Sequence, residues 1–208
     1  MKTLFEIYQV LFEKHGPQGW WPLIELKENG GYHPKDYVYP KNKKQIFEIS
    51  LGAILTQNTS WSNASKALYN LYLKTRLEPK KILSLDKDEL SEIIKSAGYY
   101  NQKARKILEF SKFFINLKKE PTREELLDVW GIGQETADSI LLYAYKKPEF
   151  VADKYTFKFF KEMGLFAEKK YDYKKIKEFV QKNLPANFKL YQEFHALIVK
   201  EQKQKDKR

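Results

Sequence analysis

The stretch LLDVWGIGQETADSILLYAYKKPEFVADKY, Leu126 to Tyr155, sets a Gly-x-Gly turn between two apolar runs and follows it with a lone aspartate. Leu126, Leu127 and Trp130 close the first run, and Ala137, Ile140, Leu141 and Ala144 recur in the second at the spacing of one helix face. Gly131 and Gly133 can take backbone angles that other residues resist, and they let a phosphate approach the amides that open the second helix. A plain connection between two antiparallel helices uses the same glycines, so the turn alone leaves both readings open. The aspartate, Asp153, is equally double: ADKYTFKFFKEMG reads as a helix that it caps, while an isolated carboxylate beyond a phosphate turn suits chemistry.

Outward from this stretch the periodicity stays helical. Leu4, Tyr8, Leu11 and Phe12 mark a first amphipathic helix; Ile46, Ile49, Ala53 and Ile54 a second; Ala67, Leu68, Leu71 and Tyr72 a third. Leu90, Ile93 and Ile94, then Ile107, Leu108, Phe110 and Phe114, continue it. Helix signals agree with this pattern: Ser84 or Asp86 precedes KDELSEIIKSAG, Gly98 closes it, and Pro121-Thr122 opens REELLDVWG. Strand alternation is absent, so the expected class is all-α, with two helical lobes. Residues 16–43, rich in Gly, Pro and aromatics, form a long irregular segment of the kind that often carries function.

Composition narrows the partners. With 38 Lys+Arg against 27 Asp+Glu, the formal charge is +11, which favours a polyanion through phosphate neutralisation; a lysine-rich proteome gives the same figure. The absence of cysteine removes disulfides, thiolate metal sites, an iron–sulfur cluster and a thiol nucleophile. His15, His33 and His195 are too scattered for a metal triad, so no metal is expected from side chains; His195, within EFHALIV, reads as a buried, hydrogen-bonded histidine. Glu6 and Glu13 interrupt the N-terminal apolar pattern, and no run reaches the about 18 apolar residues of a membrane helix. No membrane partner and a cytoplasmic location, in a bacterium or archaeon with the chromosome, are expected, with a monomer as the state. The charged tail KEQKQKDKR reads as a fraying helix end.

Four segments in order, LGAILTQNTSWSNASKAL, AGYYNQKARKI, VWGIGQETADSILLYA and VADKYTFKFF, resemble the helix-hairpin-helix Gly-Pro-Asp superfamily of DNA glycosylases, related to endonuclease III, over roughly residues 44 to 165. The resemblance implies two lobes, here 46–148 and 1–45 plus 149–208, with damaged double-stranded DNA bound across them and the target nucleotide flipped out of the helix. Strand-cleaving members carry a lysine two positions after the second hairpin glycine; this chain has Glu135, which cannot form a Schiff base. With GWWPL, FEISLGAILTQNTSW and FHALIVKEQKQK, the pattern is most similar to the 3-methyladenine DNA glycosylase III group.

That resemblance assigns Asp153 to charge stabilisation in glycosidic cleavage, Trp20, Trp21 and Phe47 to the base, and Gln57 and Tyr99 to the gap in the duplex. The amides of Gly131, Ile132 and Gly133, with Lys154, would meet the DNA backbone; a backbone-bound monovalent cation at the hairpin is compatible, and no other cofactor is expected. Bland alternatives stand beside these: WW as a core plug, Gln57 as a helix cap, Tyr100 in place of Tyr99, and Lys103, Arg105, Lys106 and Lys158 as solvated charge. Asp138 reads as a solvated helix residue. The expected activity is monofunctional excision of alkylated purines, with another lesion (uracil, mismatched thymine, oxidised purine) or a non-catalytic DNA-binding module as alternatives.

Overall fold

The computed structural model describes residues 2–26, 28–166 and 170–206, and within them regular structure is helical throughout. The chain divides into two compact units, Pro40–Ile140 and a second made of Met1–Tyr39 with Leu141–Arg208.

The first unit opens with α2 (Lys43–Leu55), which follows α1 of the second unit (Leu4–His15) and is capped by the Asn42 side chain accepting the Gln45 amide. Then come α3 (Trp61–Thr75), α4 (Pro79–Leu83), α5 (Lys87–Ile93), α6 (Tyr100–Ile115), α7 (Arg123–Leu127) and α8 (Gln134–Ser139). Asp86, one of the two expected caps, accepts the amides of Asp88 and Glu89, and Thr122 forms a reciprocal capping box with Glu125. Helix α6 packs on α2, α4 and α5, and α2 on α3 and α8, burying Ile54, Leu68, Leu71, Ile82, Leu90, Ile107 and Phe110. Two expectations fail here. Phe47, assigned to the base, is fully buried, its ring 4.7 Å from Phe114 and 6.0 Å from Phe110, so it is a core residue of this unit. Asp138, expected in solvent, is fully buried because Arg123 faces it across the hairpin at 2.7 and 3.2 Å, a bidentate pair that ties α7 to α8.

In the second unit α11 (Phe188–Lys205) packs against α1 and against α9 (Lys154–Glu162), with α10 (Tyr173–Asn183) between α9 and α11 in the chain. Phe194 is the centre of its core, with the rings of Tyr8, Phe150 and Phe160 around it. Lys14 and His15 at the end of α1 both bind Glu201 of α11 at 2.7 Å. Past α8 the chain continues as a π turn over Ile140–Ala144. From Leu141 on it packs against α11: Gln192 Nε2 donates to the Leu142 carbonyl at 2.8 Å. That is why this unit resumes at 141 rather than at the expected 149; the other limit falls at 40 rather than at the expected 46. The basic tail is helical to Lys205, and residues 207–208 lie outside the described residues.

If Phe47 is core, Phe47→Ala should cost about 3–5 kcal/mol, a drop of about 10 °C in melting temperature. Thermal unfolding checks this, and a variant that melts like the wild type would restore Phe47 to a solvent-facing role.

Candidate functional site

Asp153 caps α9. Its backbone is extended (φ −72°, ψ 179°), and Oδ1 accepts both the Thr156 amide at 2.8 Å and the Thr156 hydroxyl at 2.9 Å. Oδ2 lies 3.5 Å from Nε2 of His195 on α11, and the side chain keeps 15% of its surface exposed. Burial alone would push this carboxyl up; His195 and the two Thr156 donors outweigh burial and hold it below the usual carboxylate range, so Asp153 is ionised at neutral pH.

His195 is buried as the sequence suggested, and its Nδ1 sits 2.7 Å from the hydroxyl of Tyr143, which also lies 3.2 Å from the Gln192 carbonyl. Burial, then Glu193 and Asp153, push the Tyr143 hydroxyl well above its ordinary value, so it keeps its proton. Tyr143 comes from the π turn, and nothing in the sequence reading singled it out. A hydroxyl tip within the apolar run SILLYAY was the available signal, since a buried tyrosine hydroxyl requires a partner.

Trp20 and Trp21 do come to this place, in different roles. Trp21 is buried, edge-on to Tyr143 at 5.2 Å, and is a core plug. Trp20 is half-buried, edge-on to His195 at 5.6 Å, and is the one with surface to offer. The loop carrying them is fastened on both sides. Glu193 of α11 accepts the Gln18 amide at 2.5 Å and the Tyr37 hydroxyl at 2.9 Å, and burial pushes its carboxyl up. His33 places Nε2 at 2.9 Å from the Trp21 carbonyl and Nδ1 at 2.7 Å from the Asp36 carbonyl, so its ring bridges two points of the loop. Gly19 (φ +66°) permits the tight approach, since a Cβ there would stand 2.3 Å from the Pro34 nitrogen.

In the other unit, the hairpin depends on Gly131 for a reason the sequence suggested and on Gly133 for a different one. Gly131 has φ +84°, and a Cβ there would meet the Lys106 side chain at 2.6 Å. Gly133 has an ordinary φ of −94° and caps α8 with nothing within 4 Å of where a Cβ would sit, which leaves the first turn of α8 open to an anion. Ile132 is not part of that opening: its side chain is buried and its amide donates to the Val129 carbonyl at 3.0 Å. Gln57 is fastened to the turn, its Nε2 donating to Thr136 Oγ1 at 2.8 Å and to the Gly131 carbonyl at 3.4 Å, while its Oε1 accepts the Lys106 ammonium.

Tyr99 stands in the left-handed region (φ 47°, ψ 32°) and is 68% exposed, whereas Tyr100 is half-buried beneath Lys95; of the two, Tyr99 is the one presented outward. Lys103, expected among solvated or phosphate-facing residues, is buried instead. Its ammonium donates at 2.8 Å to the carbonyls of Leu55 and Ala97, and burial, helped by Lys106, pulls its pKa down to about 8. It thereby ties together the segments that lead into Gln57 and Tyr99. Arg105 lies over the Trp130 ring at 3.9 Å. Lys154 is exposed at the first position of α9, and Lys158 pairs with Asp206.

A helical unit with a Gly-x-Gly hairpin, and a second with a capped, ionised aspartate, define the class of helix-hairpin-helix DNA glycosylases. The chain belongs to the HhH-GPD superfamily of base excision DNA repair proteins, whose family model matches residues 51–186. It is 40% identical, over 95% of its length and 86% of the relative's, to a Methanocaldococcus jannaschii protein provisionally described as a DNA repair glycosylase. To endonuclease III of Thermotoga maritima it is 29% identical over 61% of each chain. Among solved structures, H. pylori 3-methyladenine DNA glycosylase bound to 1,N6-ethenoadenine is similar with a TM-score of 0.76 and 31% identity, covering 98% of this chain and 99% of that one. An endonuclease III–DNA complex shares the fold at a TM-score of 0.72 and 20% identity, over 95% of this chain and 85% of that one.

The two hairpin glycines should separate in mutation. Gly131→Ala should destabilise the protein by about 1–2 kcal/mol through its backbone conformation. Gly133→Ser should leave the melting temperature unchanged and weaken duplex DNA binding, because a serine cap occupies the same amides that a phosphate needs. Melting curves and filter binding read both effects, and wild-type DNA affinity in Gly133→Ser would remove the first turn of α8 from the DNA contact.

Proposed function

We propose that the chain is a monofunctional DNA glycosylase that hydrolyses the N-glycosidic bond of alkylated purines, with 3-methyladenine as principal substrate, in double-stranded DNA. The observation that carries this reading is an ionised Asp153 with one oxygen free of its helix cap, in the same cluster as Trp20. As the glycosidic bond stretches, positive charge grows on the sugar, and a fixed carboxylate in a partly enclosed site stabilises it without reorganising. The same carboxylate orients the attacking water.

An N3-alkylated adenine is already cationic and leaves as a neutral base, so the site needs an aromatic face more than a general acid. The Trp20 face supplies a cation–π attraction of about 0.5–2 kcal/mol. Glu135, exposed in the first turn of α8, supports hydrolysis without strand cleavage, since it stands where strand-cleaving relatives of the resembled family carry lysine. Tyr99 and Gln57 fill the space left by the flipped nucleotide. Gln57 first releases Thr136 and Lys106, and the freed Lys106 ammonium is then available to a phosphate. Lys154 and the first turn of α8 contribute further backbone contacts. A monovalent cation at the hairpin would compete with the Gln57 amide for the Gly131 carbonyl, and it enters no step.

Methylated duplex DNA incubated with the protein should release free 3-methyladenine, seen by chromatography, and its strands should break only after alkali. Release of uracil, thymine or oxidised purine with no alkylpurine would overturn the substrate. Breaks without alkali would overturn the monofunctional assignment, and DNA binding with no base released would favour a binding module.

A further inference from the structure

We infer that His195 is a positioning residue for this reaction: its Nε2 proton orients Oδ2 of Asp153, and the Tyr143 hydroxyl selects the imidazole form that presents it. The inference rests on the catalytic reading of Asp153.

The cap of α9 explains only half of the Asp153 environment. Both Thr156 donors go to Oδ1, and these suffice to start the helix. The second oxygen lies 3.5 Å from His195 Nε2, a buried nitrogen that has no hydrogen-bond partner among the described residues and for which Oδ2 is the facing polar atom. The ring is held from its faces and edge by Trp20 at 5.6 Å, Tyr143 at 5.9 Å and Phe150 at 6.4 Å, so it has little freedom to turn away. The titratable groups facing it are Asp153 from the start of α9 and Tyr143 from the π turn, with Glu193 acting on Tyr143 from α11.

The Tyr143 hydroxyl has one proton and two acceptors within reach, His195 Nδ1 at 2.7 Å and the Gln192 carbonyl at 3.2 Å. Donated to Nδ1, it leaves a neutral imidazole whose own proton is on Nε2, aimed at Oδ2. Turned to Gln192, it accepts an Nδ1 proton instead, and in that neutral tautomer a bare Nε2 lone pair faces Oδ2 of Asp153. The first arrangement points a donor at Asp153, the second a lone pair. A neutral ring with its proton on Nε2 leaves the full carboxylate charge for the developing sugar cation. Repulsion between a bare Nε2 and the ionised Oδ2 disfavours the second arrangement, so the Nε2–H form is the productive one.

Two readouts test this. With histidine labelled by nitrogen-15, NMR at neutral pH should show His195 as the Nε2–H tautomer in the wild type, with Nδ1–H appearing in Tyr143→Phe. Single-turnover base release, on whichever lesion the wild type excises, should fall about tenfold in His195→Ala with unchanged affinity for duplex DNA. His195→Gln, whose amide can still donate to Oδ2, should recover part of the rate. Because a cavity at a buried histidine threatens folding, melting temperatures accompany each variant, and His195→Gln carries the test if His195→Ala unfolds. An Nδ1–H tautomer in the wild type, or wild-type rates without His195, overturns the inference. A wild type that releases another base but no alkylpurine overturns only the substrate proposal and leaves the tautomer and rate comparisons to decide the role of His195.

Discussion

The Asp153 cap divides the work of one carboxylate between its two oxygens. Oδ1 satisfies the buried amide and hydroxyl of Thr156 at the first turn of α9, and the helix in turn fixes where Oδ2 points. Burial disfavours the charge, yet the Thr156 donors and His195 outweigh it, and the result is a negative group held in place before any substrate arrives. Everything else in that unit adjusts to this arrangement: α11 delivers His195, the π turn delivers Tyr143, and Glu193 with His33 holds the tryptophan loop. A catalytic charge built into secondary structure costs no reordering during the reaction.

The hairpin unit follows a different logic, in which positive charge is stored against the protein's own polar groups. Lys103 is permanently committed, buried on two carbonyls, and it holds together the segments leading to Gln57 and Tyr99. Lys106 is committed to Gln57, an exchangeable partner near the surface. Arg105 rests on Trp130. Of the net charge of +11, then, these three residues of α6 show how cationic side chains serve positioning as well as attraction.

How much of this was legible beforehand depended on whether the constraint was local. The cap at Asp153 and the need for glycine at 131 follow from backbone rules acting within a few residues, and both were readable. Helical periodicity identified Phe47 as one face of α2 but could not say whether that face met the core or a ligand, and the neighbouring rings of Phe110 and Phe114 decided for the core. Asp138 looked solvated because its partner, Arg123, lies a whole hairpin away in the chain. The Tyr143–His195 contact joins positions 52 apart and depends on a π turn that no propensity announces. The family resemblance supplied the position of Asp153 and the tryptophan pair, while the assignment of separate tasks to Trp20 and Trp21 required their burial to be seen.

Asparagine caps helices as well as aspartate does, so Asp153→Asn removes the charge while keeping α9 intact. The central claim is tested most directly by single-turnover excision with this variant, alongside its melting temperature and duplex DNA affinity. Unchanged melting and binding with excision reduced by about a hundredfold or more is the result this account predicts. Excision at the wild-type rate would contradict it and reduce Asp153 to a helix cap.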